Sequence, residues 1–587
     1  MATTTDTYTL LRAFVEELAR CGMRAACTSP GSRSAPLVLS LAREARLRCF
    51  SHVDERCAGF FALGLAKASG LPVAVACTSG TAAAELHPAA IEAREARVPL
   101  LLLTADRPPE LRDTGAGQAI DQLKLFGDAA KWFVEVDFHE AGAERLRWMR
   151  TLACRAYLRT LEGQPGVVHL NFPLREPLVG VQELPADLSA RPGGLPYVRR
   201  APSSPPARDD ALALGELIAG SERGLLIAGR EERESGAGLA VSAFAAAVGW
   251  PLLADPLSGA RRGEAAIAHY DALLRDEAFA ASLVPDLVLR VGDLPVSKPL
   301  RTWLASLDGV RQVALDPEAA WQDPAHVLSD SLMLSPSVLS AHAAGAAPGA
   351  EEDWLERWRN ADELAAEAIL GVLGEGPLSE PAIAAELGVL LPEQATLFVA
   401  SSMPVRDIET FWPVRSDPPR VLCNRGANGI DGIVSSAFGA AAASSGPVVL
   451  LIGDVALAHD IGGLLAARRL RLKLTIVLLD NGGGGIFDFL PVSRMPMATA
   501  GDVYTEHIAT PTGLDFADAA ALYGLSHERV ENASGLRAAL ERALAHESSS
   551  IVEARGERAA NVVLHGRVWE TVARAIRPLA GGAGLRA

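Results

Sequence analysis

The sequence lacks the features that mark secreted, membrane-spanning or cysteine-metal proteins. Its seven cysteines stand singly, without a CxxC pair, so we expect neither a disulfide framework nor a zinc site. The N-terminus has no basic stretch followed by an apolar run, as a signal peptide would. No apolar run comes near the ~20 residues that a membrane span requires. These absences predict a cytoplasmic protein with reduced thiols.

Basic residues are also fewer than acidic residues. The chain has 55 Lys and Arg against 71 Asp and Glu, a formal net charge of -16. Such a surface repels phosphate backbones and anionic lipids, so neither nucleic acid nor a membrane surface is an expected partner. An anionic substrate would have to be held locally by individual Arg and Lys residues.

Several common catalytic motifs are missing as well. The sequence contains neither HExxH nor GxxxxGK[ST], and no Ser–His or Cys–His pair is evident. Three histidines, His52, His87 and His459, lie near segments discussed below, and we interpret them as structural.

What the sequence does contain is a regular alternation of short apolar runs with stretches of helical spacing. Apolar residues make up 49% of the 587 residues, and this alternation is typical of βαβ units with buried parallel sheets. Two segments, about Pro185–Asp210 and Ala343–Ala350, have the composition of linkers. We predict three doubly wound α/β domains with mostly parallel sheets, spanning residues 1–185, 205–345 and 355–570.

The first and last blocks follow the same pattern. In the first, a predicted strand at Pro72–Ala76 is followed by a helix and a second strand at Pro99–Leu103. In the last, Pro447–Ile452 and Leu474–Leu479 stand in the same relation. Two explanations remain open: an internal duplication, or the length of about 30 residues that any βαβ unit needs.

Two polar residues follow the strands of the last block. Asp454 and Asn481 each come just after a predicted strand, and ligands of open α/β sheets bind beyond the carboxyl ends of strands. Four glycines, Gly482–Gly485, come next and allow an anion to approach the backbone closely. A carboxylate, an amide oxygen and a loop carbonyl suit Mg²⁺ bound to phosphate. The structural alternative is that Asp454 caps a helix and the glycines form a flexible turn.

At these positions the sequence resembles the thiamine-diphosphate-dependent enzymes. Their cofactor motif begins Gly-Asp-Gly and ends Asn-Asn, and the segments here are Gly453-Asp454-Val455 and Asp480-Asn481. Val455 and Asp480 depart from the general pattern. The resemblance implies thiamine diphosphate and Mg²⁺, with Mn²⁺ as an alternative ion. It also implies that Asp454, Asn481 and the carbonyl of Gly483 are the metal ligands.

The same resemblance implies a catalytic acid in the N-terminal domain. In these enzymes a glutamate from a partner subunit bonds to the aminopyrimidine ring and activates the cofactor, so a homodimer or homotetramer is implied. The candidate is Glu55, directly before the apolar segment Ala58–Ala66. A carboxylate also favours a helix N-terminus for structural reasons, and Asp54 is a local competitor for the role.

Five further segments narrow the resemblance to one family. They are Thr28–Ser34, Thr104–Glu110, Gly115–Ile120, Ser401–Asp407 and Asn424–Gly432. Together they resemble the MenD family, the 2-succinyl-5-enolpyruvyl-6-hydroxy-3-cyclohexene-1-carboxylate synthases of menaquinone biosynthesis. The resemblance covers nearly the whole chain and is weakest in the middle block. It implies decarboxylation of 2-oxoglutarate on the cofactor, addition of the succinyl-semialdehyde carbanion to isochorismate, and release of CO₂.

Both implied substrates are dicarboxylates, which gives arginines a chemical role, since guanidinium groups bind carboxylates in bidentate fashion. On the 2-oxoglutarate side, the resemblance places Ser402, Arg406 and Arg425. On the isochorismate side, it places Ser32, Arg33, Arg107, Gln118 and Lys298. Around the cofactor, it places Glu55, Ser402, Ile430, Gly453, Gly484, Ile486, Phe487 and Leu490. For each arginine the structural alternative is a solvated surface charge.

Two other functions stay open from the sequence. One is a different thiamine-diphosphate enzyme, of the acetohydroxy-acid synthase or 2-oxo-acid decarboxylase type. The other is a non-catalytic nucleotide-binding or regulatory protein, because doubly wound domains by themselves do not imply catalysis.

Overall fold

The computed structural model describes residues 3–179, 183–184, 186–187, 189–200, 208–234, 236–345, 350–499 and 502–580. Three parallel sheets, each flanked by helices, are formed by successive parts of the chain. Among the described helices, none combines the length and the apolar character that crossing a bilayer would require.

The N-terminal part forms a six-stranded sheet in the order β2-β1-β3-β4-β6-β5. Its strands are β1 (Ala25–Thr28), β2 (Arg48–Ser51), β3 (Val73–Cys77), β4 (Leu100–Asp106), β5 (Ala130–Glu135) and β6 (Val167–Pro173). Its helices are α1 (Thr4–Cys21), α2 (Ala35–Arg43), α3 (Glu55–Ser69), α4 (Thr81–Ala84), α5 (His87–Glu95) and α6 (Ala143–Leu161). Every residue of β3 and β4 is buried, as expected for central strands that helices cover on both faces.

The central part forms a five-stranded sheet in the order β11-β10-β9-β7-β8. Its strands are β7 (Gly224–Ala228), β8 (Leu252–Ala254), β9 (Leu287–Val291), β10 (Arg311–Leu315) and β11 (Asp330–Leu332). Its helices are α7 (Arg208–Ala219), α8 (Ala237–Val248), α9 (Tyr270–Leu273), α10 (Glu277–Ser282), α11 (Lys298–Ala305) and α12 (Leu339–Gly345).

The C-terminal part forms a second six-stranded sheet, in the order β13-β12-β14-β15-β17-β16. Its strands are β12 (Thr396–Val399), β13 (Arg420–Cys423), β14 (Val448–Gly453), β15 (Thr475–Asp480), β16 (Ser526–Val530) and β17 (Ser550–Arg555). Its helices are α13 (Trp354–Leu373), α14 (Glu380–Leu390), α15 (Met403–Phe411), α16 (Ile433–Ala443), α17 (Asp454–His459), α18 (Leu465–Arg469), α19 (Pro496–Thr499), α20 (Phe516–Tyr523), α21 (Ala533–Ala545) and α22 (Arg558–Ala580). Counted along the chain, its strand order is that of the N-terminal sheet, which favours duplication over coincidence.

The fold divides into two compact units that do not follow the order of the chain. The first unit comprises Met1–Ser203, Asn424–Ser445 and His459–Leu474, and the second comprises the remaining segments. Helix α16 thus belongs with α3 in the first unit. The two helices pack at backbone contact: a Cβ on Gly64 would lie 1.8 Å from the Ser436 carbonyl oxygen, and one on Gly439 would lie 2.0 Å from that of Phe61. Only glycine permits this approach.

The predicted α/β fold is confirmed, and the ends of the predicted strands match those of the observed strands to within three residues. The predicted linkers were partly wrong. Helix α7 already begins at Arg208, and α12 extends to Gly345, because both linker segments run into alanine- and leucine-rich sequence of high helix propensity. Residues 201–207 and 346–349 of these linkers lie outside the described residues.

Candidate active site

In the second unit, the neighbouring strands β14 and β15 place two polar side chains at one edge of the sheet. Asp454 follows β14, is only 2% exposed, and accepts a 2.8 Å hydrogen bond from the Gly483 backbone N–H through Oδ2. Burial raises the pKa of Asp454 to about 6, although backbone hydrogen bonds oppose the rise. A carboxylate kept in such a place is costly unless a cation or further donors compensate it.

Asn481, the first residue after β15, is held in one orientation. Its Nδ2 donates to Glu380 Oε1 at 2.8 Å, while its Oδ1 is buried without a hydrogen-bond partner among the described residues. The Gly483 carbonyl accepts only the Gly485 N–H at 2.9 Å in the described structure, and a carbonyl has a second lone pair. An unpaired amide oxygen, a buried carboxylate and a loop carbonyl are the oxygen donors that fit Mg²⁺.

Behind Asn481 lies a buried acidic network that the sequence analysis missed. Burial, and then the charge of Asp407, raise the pKa of Glu380 to about 7. Asp407 in turn lies 3.0 Å from His565 Nε2, measured from its Oδ1. Burial lowers the pKa of His565, but the hydrogen bond and charge of Asp407 outweigh it and leave that pKa raised. In the sequence these residues stand far apart, and Ser379-Glu380 reads only as a helix cap.

The backbone of the glycine loop after β15 lies close to neighbouring residues, which leaves no room for a side chain at Gly484. The Gly484 N–H donates to the Ala509 carbonyl at 2.6 Å, and a Cβ on Gly484 would lie 2.8 Å from the Phe487 ring. Ile486 and Phe487 are half-buried, and Leu490 is 44% exposed. An apolar surface therefore follows directly after the candidate metal ligands.

The turn before α15 is strained. Ser402 has a φ of 76°, an unusual value for a residue other than glycine, and it is the N-cap of α15. Arg406, one turn into the helix, donates to the Ser402 carbonyl at 2.5 Å. Both side chains are half-buried. Ser402 and Arg406, two of the three residues predicted to bind 2-oxoglutarate, therefore form one local motif.

In the first unit, the structure assigns different tasks to the two acids at the start of α3. Asp54 is the N-cap, and its side chain accepts the Cys57 N–H at 3.0 Å. Glu55 is the first helical residue and is half-buried, and burial raises its pKa. Because capping occupies the exposed Asp54, Glu55 is the better placed of the two for chemistry.

Arg33 and Arg107 lie close enough to affect each other. Burial and then the charge of Arg107 lower the pKa of Arg33, which donates to the Leu174 carbonyl at 2.7 Å and to Glu176 at 3.1 Å. Arg107 donates to Ser79 Oγ at 2.7 Å. Two neighbouring guanidinium groups form a local positive site on an acidic protein.

Two other residues that were predicted to bind isochorismate lie on the surface. Ser32 and Gln118 are exposed, and Gln118 has a φ of 55°. The better anchored glutamine is Gln122, which the sequence analysis missed. Its Oε1 accepts the Gly80 N–H at 2.9 Å and its Nε2 donates to Asn171 Oδ1 at 2.9 Å.

The remaining predicted residues lie elsewhere. Arg425 and Ile430 are half-buried in the first unit, and no hydrogen bond or ion pair of the Arg425 guanidinium occurs within the described part of the chain. Lys298 is exposed at the start of α11 in the second unit, where it lines a cavity of about 800 Å³ with Arg275 and Trp303. Of these three residues, Arg425 and Ile430 belong to the first unit and Lys298 belongs to the second.

Comparison with protein families matches three models to successive parts of the chain. The thiamine pyrophosphate enzyme N-terminal TPP-binding domain matches residues 8–125, the middle domain of thiamine pyrophosphate enzymes matches 213–399, and the C-terminal TPP-binding domain matches 406–554. Thiamine pyrophosphate is thiamine diphosphate, so the predicted cofactor class is confirmed.

Full-length relatives narrow the family. A 2-succinyl-5-enolpyruvyl-6-hydroxy-3-cyclohexene-1-carboxylate synthase of Geobacillus kaustophilus is 45% identical over 96% of this chain and 97% of its own length. Proteins of the same name from Chloroflexus aurantiacus and Bacillus velezensis are 41% and 40% identical, each over 96% of this chain and over 96% and 97% of their own lengths. The chain belongs to this synthase family. The MenD resemblance is confirmed, and the synthase family, rather than the acetohydroxy-acid synthase or decarboxylase alternative, is supported.

Proposed function

We propose that this enzyme decarboxylates 2-oxoglutarate, transfers the resulting succinyl-semialdehyde unit to isochorismate and releases CO₂, as a step of menaquinone biosynthesis. The observation that carries the proposal is the Asn481 amide, whose nitrogen donates to Glu380 and whose oxygen is buried without a partner among the described residues, two positions before the Gly483 N–H that contacts Asp454. Membership in the synthase family supports the choice of substrates.

The metal end of the site rests on three oxygen donors. Asp454, Asn481 and the Gly483 carbonyl would hold Mg²⁺, or Mn²⁺ in its place, and the metal would neutralise a diphosphate. When bound, thiamine diphosphate supplies the carbon nucleophile and the electron sink that decarboxylation needs. The chain's own part is to hold the diphosphate, exclude water and keep the acid and the arginines in place.

The acid end of the site rests on Glu55. Burial raises its pKa, and its carboxyl group would hydrogen-bond to a ring nitrogen of the aminopyrimidine. His52 is a poor alternative, because burial lowers its pKa to about 4 and keeps it neutral.

The substrate part of the proposal assigns carboxylates to guanidinium groups. Arg406 and Arg425, with Ser402, would bind 2-oxoglutarate. Arg33 and Arg107, with Ser32, Gln118 and Lys298, would bind isochorismate. Each substrate carries two carboxylates, and bidentate pairs fix orientation as well as charge.

We also propose that the protein acts in the cytoplasm as a homodimer or homotetramer, with domains at 1–185, 205–345 and 355–570. The seven cysteines are all free, as is usual in a reducing compartment. Oligomers with closed symmetry are the common solution when a site needs residues from two subunits.

The test is an assay of the purified protein with thiamine diphosphate, Mg²⁺, 2-oxoglutarate and isochorismate, in which isochorismate loss is followed by absorbance. We expect rapid loss that requires all four components. Release of CO₂ without isochorismate loss would overturn the choice of acceptor. No reaction by folded, cofactor-bound protein would overturn the proposal as a whole.

A further inference from the structure

The backbone of the loop that carries Arg425 and Ile430 is hydrogen-bonded to the carboxylate of Glu92. Glu92, on α5, is only 3% exposed. Its Oε1 accepts the Gly426 N–H at 2.8 Å, and its Oε2 accepts the Ala427 N–H at 2.6 Å. Both carboxylate oxygens of Glu92 therefore accept hydrogen bonds from the two backbone amides that directly follow Arg425.

The loop packs so closely against α5 that no side chain larger than that of glycine fits at position 426. A Cβ on Gly426 would lie 2.6 Å from the Ala96 backbone nitrogen and 2.6 Å from the Glu92 carbonyl oxygen. The loop thus lies against the backbone of α5 as well as against the Glu92 carboxylate. A cavity of about 250 Å³ adjoins the contact and is lined by residues that include Glu92, Ala427 and Gly429.

The Arg425 guanidinium itself has no hydrogen bond or ion pair within the described residues, so its position depends on its backbone. We propose that Glu92 is a positioning residue that fixes the Arg425 loop and thereby sets the affinity for the 2-oxo-dicarboxylate substrate. The inference rests on the proposed function. Charged hydrogen bonds to backbone amides are among the stronger ones, and a shift of the loop by an ångström would misalign a bidentate contact.

The matched variants are Glu92→Gln and Glu95→Gln. A glutamine at position 92 would keep one acceptor but would turn an NH₂ donor toward the second amide, whereas Glu95 lies on the same helix, is largely exposed and contacts only Arg94 at 3.7 Å in the described structure. For Glu92→Gln we expect KM for 2-oxoglutarate to rise roughly 10-fold, with KM for isochorismate and kcat little changed. Glu95→Gln should behave as the wild type.

A second readout does not depend on turnover. Hydrogen exchange of the Gly426 and Ala427 amides, followed by mass spectrometry of peptides covering 424–432, should be faster in Glu92→Gln than in the wild type. Glu92→Asp retains the charge and should give an intermediate rate, which keeps the test open if the glutamine variant does not fold. In an Arg425→Lys background, Glu92→Gln should add little to KM, because the two act as a unit.

The outcomes separate this inference from the function it rests on. If the wild type consumes both substrates and Glu92→Gln leaves KM for 2-oxoglutarate unchanged, the positioning role is wrong. If kcat and both KM values change together, with a lower unfolding temperature, Glu92 is only structural. If the wild type does not react with these substrates, the proposed function fails, and the exchange rates alone decide whether Glu92 holds the loop.

Discussion

The N-terminal and C-terminal sheets share one strand order but carry opposite chemistry at the same edge. After β3 and β4 come Ser79 and Arg107, joined by a 2.7 Å hydrogen bond. After the corresponding β14 and β15 come Asp454 and Asn481, which offer oxygen atoms. In such sheets ligands bind beyond the carboxyl ends of the strands, and the proposed function assigns an anion to the N-terminal edge and a cation to the C-terminal edge.

The largest effect is expected from removing Glu55, the proposed catalytic acid of the N-terminal part, while the proposed metal site of the C-terminal part is left intact. Glu55→Gln should lower turnover by roughly 100-fold or more, because a positioned general acid contributes on that scale. Binding of thiamine diphosphate and Mg²⁺ should remain, since the proposed metal ligands belong to the second unit. Isochorismate loss and calorimetric cofactor titration measure the two effects.

Asp54→Asn is the control for that experiment. It keeps the capping group of α3 and should retain most of the activity. Equal losses in both variants would mean that the start of α3 is needed only for folding.

The converse change removes a proposed metal ligand from the C-terminal part. Asn481→Ala should weaken Mn²⁺ binding, measured by electron paramagnetic resonance in the presence of thiamine diphosphate, by roughly 100-fold, consistent with the loss of one of few protein ligands. Asp480→Asn changes the neighbouring carboxylate, which lies 3.4 Å from Arg555, and should bind the metal nearly as the wild type does. Equal weakening would point to net charge instead of ligation.

A smaller effect is expected from the anion-binding edge. Arg107→Gln should raise KM for isochorismate by roughly 10-fold, because a charged hydrogen bond is lost, while Mn²⁺ binding stays unchanged. Arg175→Gln is the matched control, since Arg175 is bound to the exposed Glu110 at 2.7 Å. Weaker metal binding in Arg107→Gln would contradict the division between the two edges.

The smallest effect concerns two buried histidines whose pKa values are shifted in opposite directions. Burial lowers the pKa of His169 to about 3 from its ordinary 6.5, so the neutral ring stabilises the fold above pH 6.5 and that contribution is lost as the pH falls. The pKa of His565 is raised, so its contribution is present at low pH and is lost as the pH rises through the raised value.

We therefore expect acid to weaken the first unit before the second. Between about pH 7 and pH 5, His169→Gln should reduce the slope of unfolding free energy by at most ~1.4 kcal/mol per pH unit, measured by urea unfolding. His139→Gln, which replaces an exposed histidine of the same unit, is the control variant. An unchanged slope in His169→Gln would show that other groups govern acid unfolding.

Much of this architecture was predictable from the sequence because the central strands are buried on both faces and read as unbroken apolar runs. Asp454 and Asn481 could be proposed as metal ligands from the sequence because they follow those strands directly. Glu92, Gln122 and Glu380 were not, since each acts through a partner distant in sequence and sits in an ordinary helix or loop. For the same reason, sequence spacing did not reveal that the Sγ atoms of Cys21 and Cys154 lie 3.5 Å apart.

The backbone contact between α3 and α16 has a consequence for how this enzyme can be divided. Helix α3 begins with Glu55, yet its covering helix is encoded more than half a chain away, behind the entire central sheet. A gene fragment that ends near residue 200 would leave the Gly64 face of α3 uncovered and would yield an aggregating product. Recombination between relatives must therefore exchange residues 424–445 together with the N-terminal part, or the hybrid would inherit α3, which carries the proposed catalytic Glu55, without the helix that packs against it.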